Sequence, residues 1–126
     1  MNLTGILKDA VLVTFNDLPK EYGEVRIVCA TIVEDFHGRF RPGYWMYTSL
    51  VKKVEGDIVL TLNSTYEIKG DLEQVSLPVS SLAALKEGAP PLAVKGLLDA
   101  GYKLVAQHVA QETNPASDDD ADGVVS

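Results

Sequence analysis

Between Phe36 and Lys53 the chain reads FHGRFRPGYWMYTSLVKK, interleaving two residue types with complementary chemistry. Phe36, Phe40, Tyr44, Trp45 and Tyr47 are five of the nine aromatic residues, and Arg39, Arg41, Lys52 and Lys53 add cations with no carboxylate among them. A flat ring stacks on a nucleobase whatever its identity, and a neighbouring arginine or lysine neutralises the flanking phosphates. The pattern therefore suits sequence-tolerant binding of single-stranded nucleic acid. The competing reading is a strand whose rings pack in a core while its arginines solvate a loop.

Other chemistry is harder to assemble from these residues. Two histidines and one cysteine cannot build a zinc site without carboxylates, and no metal-ligand spacing is present. There is neither a glycine-rich phosphate loop nor a nucleophile elbow. Asp35 and His37 are close enough in sequence for a dyad, but two residues in one loop are a weak signal. His108 falls on an apolar helical stripe and reads as a packed or rim histidine. Cys29 lies inside the apolar run Ile27 to Val33 and reads as a small buried hydrophobe. The expectation is a protein that is not an enzyme and uses no cofactor.

Charge divides the chain into two parts. The formal charge is −7, yet residues 1–111 hold eleven basic and thirteen acidic side chains. Residues 112–126 hold Glu112, Asp118, Asp119, Asp120 and Asp122 with no base. The first part reads as one β-rich domain, and the second as a disordered acidic tail too poor in apolar residues to fold. Such a tail either solubilises the protein or acts as an anionic arm that competes with nucleic acid and recruits a basic partner. Lys8 and Asp9 interrupt LTGILKDAVLV, so no secretory leader is expected, and no apolar run is long enough to span a bilayer. These features suggest a cytoplasmic protein.

The elements that must position the aromatic stretch follow from local patterning. Val11 to Phe15 is a short apolar strand ended by Asn16, Asp17 and Pro19. Glu24 to Val33 is apolar on both faces, as a doubly covered central strand would be. His37-Gly38 opens a loop that closes at Arg41-Pro42-Gly43 and carries Arg39 and Arg41 near its tip. Tyr44 to Val54 reads as one strand; alternation does not settle which face meets the core, and the face of Trp45, Tyr47 and Lys53 suits either docking or half-burial. Turns at Glu55-Gly56-Asp57, Asn63-Ser64 and Gly70-Asp71 separate the strands that follow, predicting an antiparallel meander or small barrel-like sheet. Lys69 would then widen the basic patch from a strand next to that of Lys52. After Pro78, Ser80 or Ser81 caps a short helix through Lys86. A longer helix runs from about Leu92 to Gln111, its stripe of Val94, Leu97, Leu98, Gly101, Leu104, Val105, His108 and Val109 packing on the sheet or on a second copy. The fold class is α+β.

A β-rich body, a basic aromatic stretch and an acidic C-terminus together resemble the small early single-stranded-DNA-binding proteins of N4-like phages. Gly43-Tyr44-Trp45-Met46-Tyr47-Thr48-Ser49 also resembles a G-x-W-x-x-T-S segment of small phage proteins without assigned activity. The first resemblance implies a phage protein that supports replication or transcription; it is expected to act in the host cytoplasm as a homo-oligomer, a dimer or tetramer. Its partners would be single-stranded DNA and phage RNA polymerase or replication proteins. The expected nucleic-acid-binding residues are Arg39, Arg41, Tyr44, Trp45, Tyr47, Lys52, Lys53 and Lys69, with Asp118, Asp119, Asp120 and Asp122 as the partner-binding tail. The rival reading is an acidic phage inhibitor of a host defence or transcription protein.

Overall fold

The structure is a computed structural model that describes residues 2–102. The first strand, β1 (Gly5–Phe15), is twice as long as its apolar run suggests, and Lys8-Asp9 is the reason both for its length and for its concealment. Leu7, Ala10 and Leu12 pack on one side while Val11, Val13 and Phe15 pack on the other, so the alternation changes phase at residues 8–9. Asp9 adopts φ +52°, a left-handed conformation that aspartate tolerates better than most residues, and makes a β-bulge. A reader following period two loses the strand at that point.

β2 (Arg26–Asp35) pairs antiparallel with β1 and with the short β3 (Trp45–Tyr47). β4 (Val51–Glu55), β5 (Ile58–Thr61) and β6 (Thr65–Leu77) form a second antiparallel set. The two sets join through a parallel pairing of β1 with β6, giving the order β3-β2-β1-β6-β5-β4. The expected meander is thus two three-stranded meanders in one mixed sheet. One apolar cluster draws side chains from all six strands, among them Leu7, Val28, Met46, Val51, Val59 and Tyr66, so the sheet curls around it. A second cluster, on the opposite face, joins Val13, Cys29, Tyr47 and Leu77 to Leu85 of α1 (Leu82–Lys86) and Val94 of α2 (Pro91–Asp99). The class is α+β, as expected.

Four local expectations require correction. Tyr44 to Val54 is not one strand, because the chain leaves β2 after Tyr47 and reaches the opposite sheet edge as β4. Thr48 ends the pairing: its hydroxyl accepts the Val28 N–H at 3.0 Å and donates to the Ser49 carbonyl at 2.7 Å. Gly70-Asp71 is not a turn but a bulge in a continuous β6, where Gly70 takes φ +78° opposite the Asp9 kink. Val79–Ser81 is a 3-10 turn and no serine side chain caps α1. The long helix stops at Asp99, because Gly101 takes φ +97°. The Gly101 N–H then reaches Leu98 O and the Tyr102 N–H reaches Leu97 O, both at 3.0 Å, which completes a Schellman stop. Gly101, a member of the expected stripe, instead terminates the helix. Residues 103–111 of that expected helix lie outside the described residues, as do the acidic tail and Asp118, Asp119, Asp120 and Asp122. Among the described residues no helix is long and apolar enough to cross a membrane.

Candidate nucleic-acid interface

The loop between β2 and β3 is built around Asp35. Its carboxylate accepts backbone N–H bonds from His37 at 3.3 Å, Arg39 at 2.8 Å and Phe40 at 3.1 Å, and a fourth bond from Arg39 Nε at 3.2 Å. The Asp35 side chain is only 3% exposed. Burial opposes its ionisation, but the Arg39 hydrogen bond, the His37 and Arg39 amides and the Arg39 charge together hold its pKa below the usual carboxylate range. Arg39 also donates to the Tyr66 hydroxyl at 3.5 Å and lies 4.9 Å from the centre of the Phe40 ring. Arg39 is therefore a brace for the loop. His37 contributes a backbone N–H to Asp35, and its imidazole makes no dyad with that carboxylate.

Beside this loop lies an open groove of about 750 Å³. Its walls are residues 2–4, Phe36 and His37, Lys52, and the β5–β6 hairpin from Leu60 to Thr65. Hydrogen bonds fix these walls to one another. Thr4 N–H reaches Thr65 O at 2.6 Å, the Thr4 hydroxyl accepts the Thr65 N–H at 3.0 Å, and Phe36 N–H reaches Thr4 O at 2.8 Å. Val51 and Lys53 pair with Thr61 and Leu60, so Lys52 is the extra residue of a bulge that turns its side chain to the groove. Phe36 is 45% exposed and Leu62 is 60% exposed, both large apolar side chains left to water. Among the described residues no carboxylate lines the groove, in a protein of net charge −7.

The expected binding residues are not all brought together. Lys52 lines the groove, and Arg41 and the 54%-exposed Tyr44 project from the neighbouring loop. Lys53 is exposed and pairs with exposed Glu55 at 3.1 Å, an interaction weak enough to yield to a ligand. Tyr47 is 5% exposed and belongs to the helix-side core, so it offers no open ring. Trp45 packs half-buried against the same core, and its Nε1 is buried without an acceptor among the described residues. The Trp45–Tyr47 face is a packing face, which corrects its reading as a docking surface. β5 separates β6 from β4, so Lys69 is not next to Lys52 but in register with Lys8 of β1. With Trp45 it lines a different cleft, of about 460 Å³, shared with Asp9, Asp71, Glu73 and the start of α2.

The groove also contains residues absent from the expected set: Phe36, His37, Leu62 and Asn63. Phe36 belonged to the aromatic stretch, but its backbone N–H is held by Thr4, in a segment more than thirty residues away in sequence. Leu62 sat beside a recognised turn, and nothing local tells that it shares a groove with a ring. The G-x-W-x-x-T-S positions have structural work here. Gly43 takes φ +89° and donates to Ile32 O at 2.7 Å, Trp45 packs under the helices, Thr48 ends a strand pair, and the Ser49 hydroxyl accepts the Asn63 N–H at 3.2 Å. No family model, no curated protein and no solved structure matches the chain.

Proposed function

We propose that the chain is a sequence-tolerant single-strand nucleic-acid-binding protein, with the groove beside Phe36 as its binding surface. The supporting observation is a groove, lined by no carboxylate among the described residues, that combines an exposed ring, Phe36, with the bulge-directed cation Lys52. A base stacks on Phe36 and is flanked by Leu62, while Lys52, Arg41 and Lys53 neutralise phosphates along the strand. An open groove with a ring face suits splayed single-stranded bases rather than the stacked interior of a duplex. On this reading the activity serves phage replication or transcription, as the sequence resemblance implies. The acidic residues 112–126 then serve as an arm for basic partner proteins and compete with DNA at low salt.

Gel shifts with single-stranded DNA, duplex DNA and single-stranded RNA of equal length test the reading. Retention of single strands ahead of duplex supports it, and bromouracil-substituted DNA should cross-link to the peptide containing Phe36. Duplex preference, or cross-links confined to Trp45, contradicts it.

A second reading has its own support. Asp9, Asp71 and Glu73 line the cleft beside Trp45 and have no ion-pair partner among the described residues, which favours contact with a basic protein. Binding of a basic host protein that survives loss of Phe36 and Lys52, with no single-strand binding, would make the inhibitor reading the better one.

A further inference from the structure

α2 is apolar on the side it buries and on the side it leaves open. Pro91 and Val94 are buried, and Leu98 packs against the helix-side core. Leu92, Ala93, Gly96, Leu97 and Ala100 are exposed, with Leu92 at 47% and Leu97 at 51%. At 100° per residue these five positions fall on one continuous stripe of the helix. A surface helix ordinarily turns a polar face to water, and one that is apolar all round belongs in an interior. Gly96 sits mid-helix, where glycine is unfavourable relative to alanine, and no heavy atom lies within 4 Å of a Cβ built there. Within the described fold nothing uses the close approach that this glycine permits.

We infer that this face of α2 is where a second copy of the chain docks, with the two helices antiparallel about a twofold axis near Gly96 and Leu97. That arrangement is self-complementary: Leu97 of each copy lies over Gly96 of the other, and Ala93 faces Ala100. Charge selects the direction. Lys95 and Asp99 form a 3.1 Å ion pair along one border of the stripe. Antiparallel packing keeps the charged borders of the two copies on the same side and sets Lys95 of each copy beside Asp99 of the other, whereas a parallel twofold puts those borders on opposite sides, where the charges gain no partner across the interface. The helix is nine residues long. At about 14 Å, it provides less than a standard interface, so the dimer is weak, with a dissociation constant on the order of 10–100 µM. The inference is independent of the groove, which α2 does not line.

Sedimentation equilibrium of the full chain from about 5 µM to about 1 mM, a span that brackets that constant, tests it. The expected result is a monomer–dimer equilibrium in the wild type, monomer throughout for Leu97→Asp, and at least a tenfold weaker dimer for Gly96→Leu. These positions are exposed, and unchanged circular dichroism confirms that the variants fold. Lys95→Asp and Asp99→Lys should each be monomeric alone and form a dimer when mixed. A wild type that stays monomeric across the range, as when another part of the same chain covers the stripe, overturns the inference. So do Leu97→Asp and Gly96→Leu variants that dimerise like the wild type, or charge variants that do not associate on mixing.

Discussion

Two concavities in this protein each pair an aromatic ring with a lysine, and they differ in what surrounds the pair. In the groove, Phe36 stands 45% exposed near Lys52, with no carboxylate in the walls among the described residues. In the helix-side cleft, Trp45 is half-buried near Lys69, and Asp9, Asp71 and Glu73 share the lining. A phosphate about 7 Å from a carboxylate meets a repulsion of about 0.6 kcal/mol in water, and more where the dielectric falls. Three such carboxylates outweigh one lysine. Ring and cation alone do not tell the two sites apart; what separates them is that no carboxylate among the described residues lines the groove.

The sharpest way to break this comparison is to remove a ring from the helix-side core and the ring from the groove. Tyr47→Ala should lower unfolding free energy by about 3–5 kcal/mol, because it empties a buried site, and leave oligonucleotide binding per folded molecule unchanged. Denaturant melts beside active-fraction titrations measure both. Asp35→Ala comes next. It strips acceptors from three backbone amides and a guanidinium, and should cost about 2–3 kcal/mol of stability and loosen the loop carrying Arg41. The same contacts predict acid sensitivity. The folded-state pKa of Asp35 is lowered, so the unfolded chain holds its proton more readily. The stabilisation is fully present above the ordinary carboxylate value and is lost as pH falls through the lowered one. Melts from neutral pH downward should show this loss in the wild type and a shallower fall in Asp35→Asn.

Phe36→Ala should weaken single-strand binding by about 1–3 kcal/mol and barely move the melting temperature, the reverse of Tyr47→Ala. The smallest effect sharpens the comparison between the lysines. Lys52→Ala should reduce the slope of log affinity against log salt by about 0.7, and Lys69→Ala should leave it alone. Equal changes in the two variants would mean that the strand passes over both concavities.

How much of this was legible follows from which residues speak locally. Glu24 to Val33 announced a doubly buried strand, since apolar, β-branched runs have few other uses, and β2 is that strand. The turn at Asn63-Ser64 was readable because asparagine and serine have local conformational preferences. The kinks were not. Asp9 and Gly70 look like breaks, and only the pairing of β1 with β6 makes them matched bulges in two long strands. The aromatic stretch was found as a unit, but the chain divides it: loop, core edge and opposite sheet edge. What surrounds each ring depends on Thr4, Leu62 and α2, all distant in sequence, and no period within residues 36–53 encodes them.

The most direct test of the central claim is the salt dependence of single-strand binding by the full chain. Fluorescence anisotropy of a labelled single-stranded oligonucleotide, titrated across a salt series, gives log affinity against log salt. With Arg41, Lys52 and Lys53 each meeting a phosphate, the slope should be about −2 for the wild type, and single strands should bind more tightly than duplex at every salt. A flat line, tighter duplex binding, or no binding at low salt would contradict the assignment of this groove to nucleic acid.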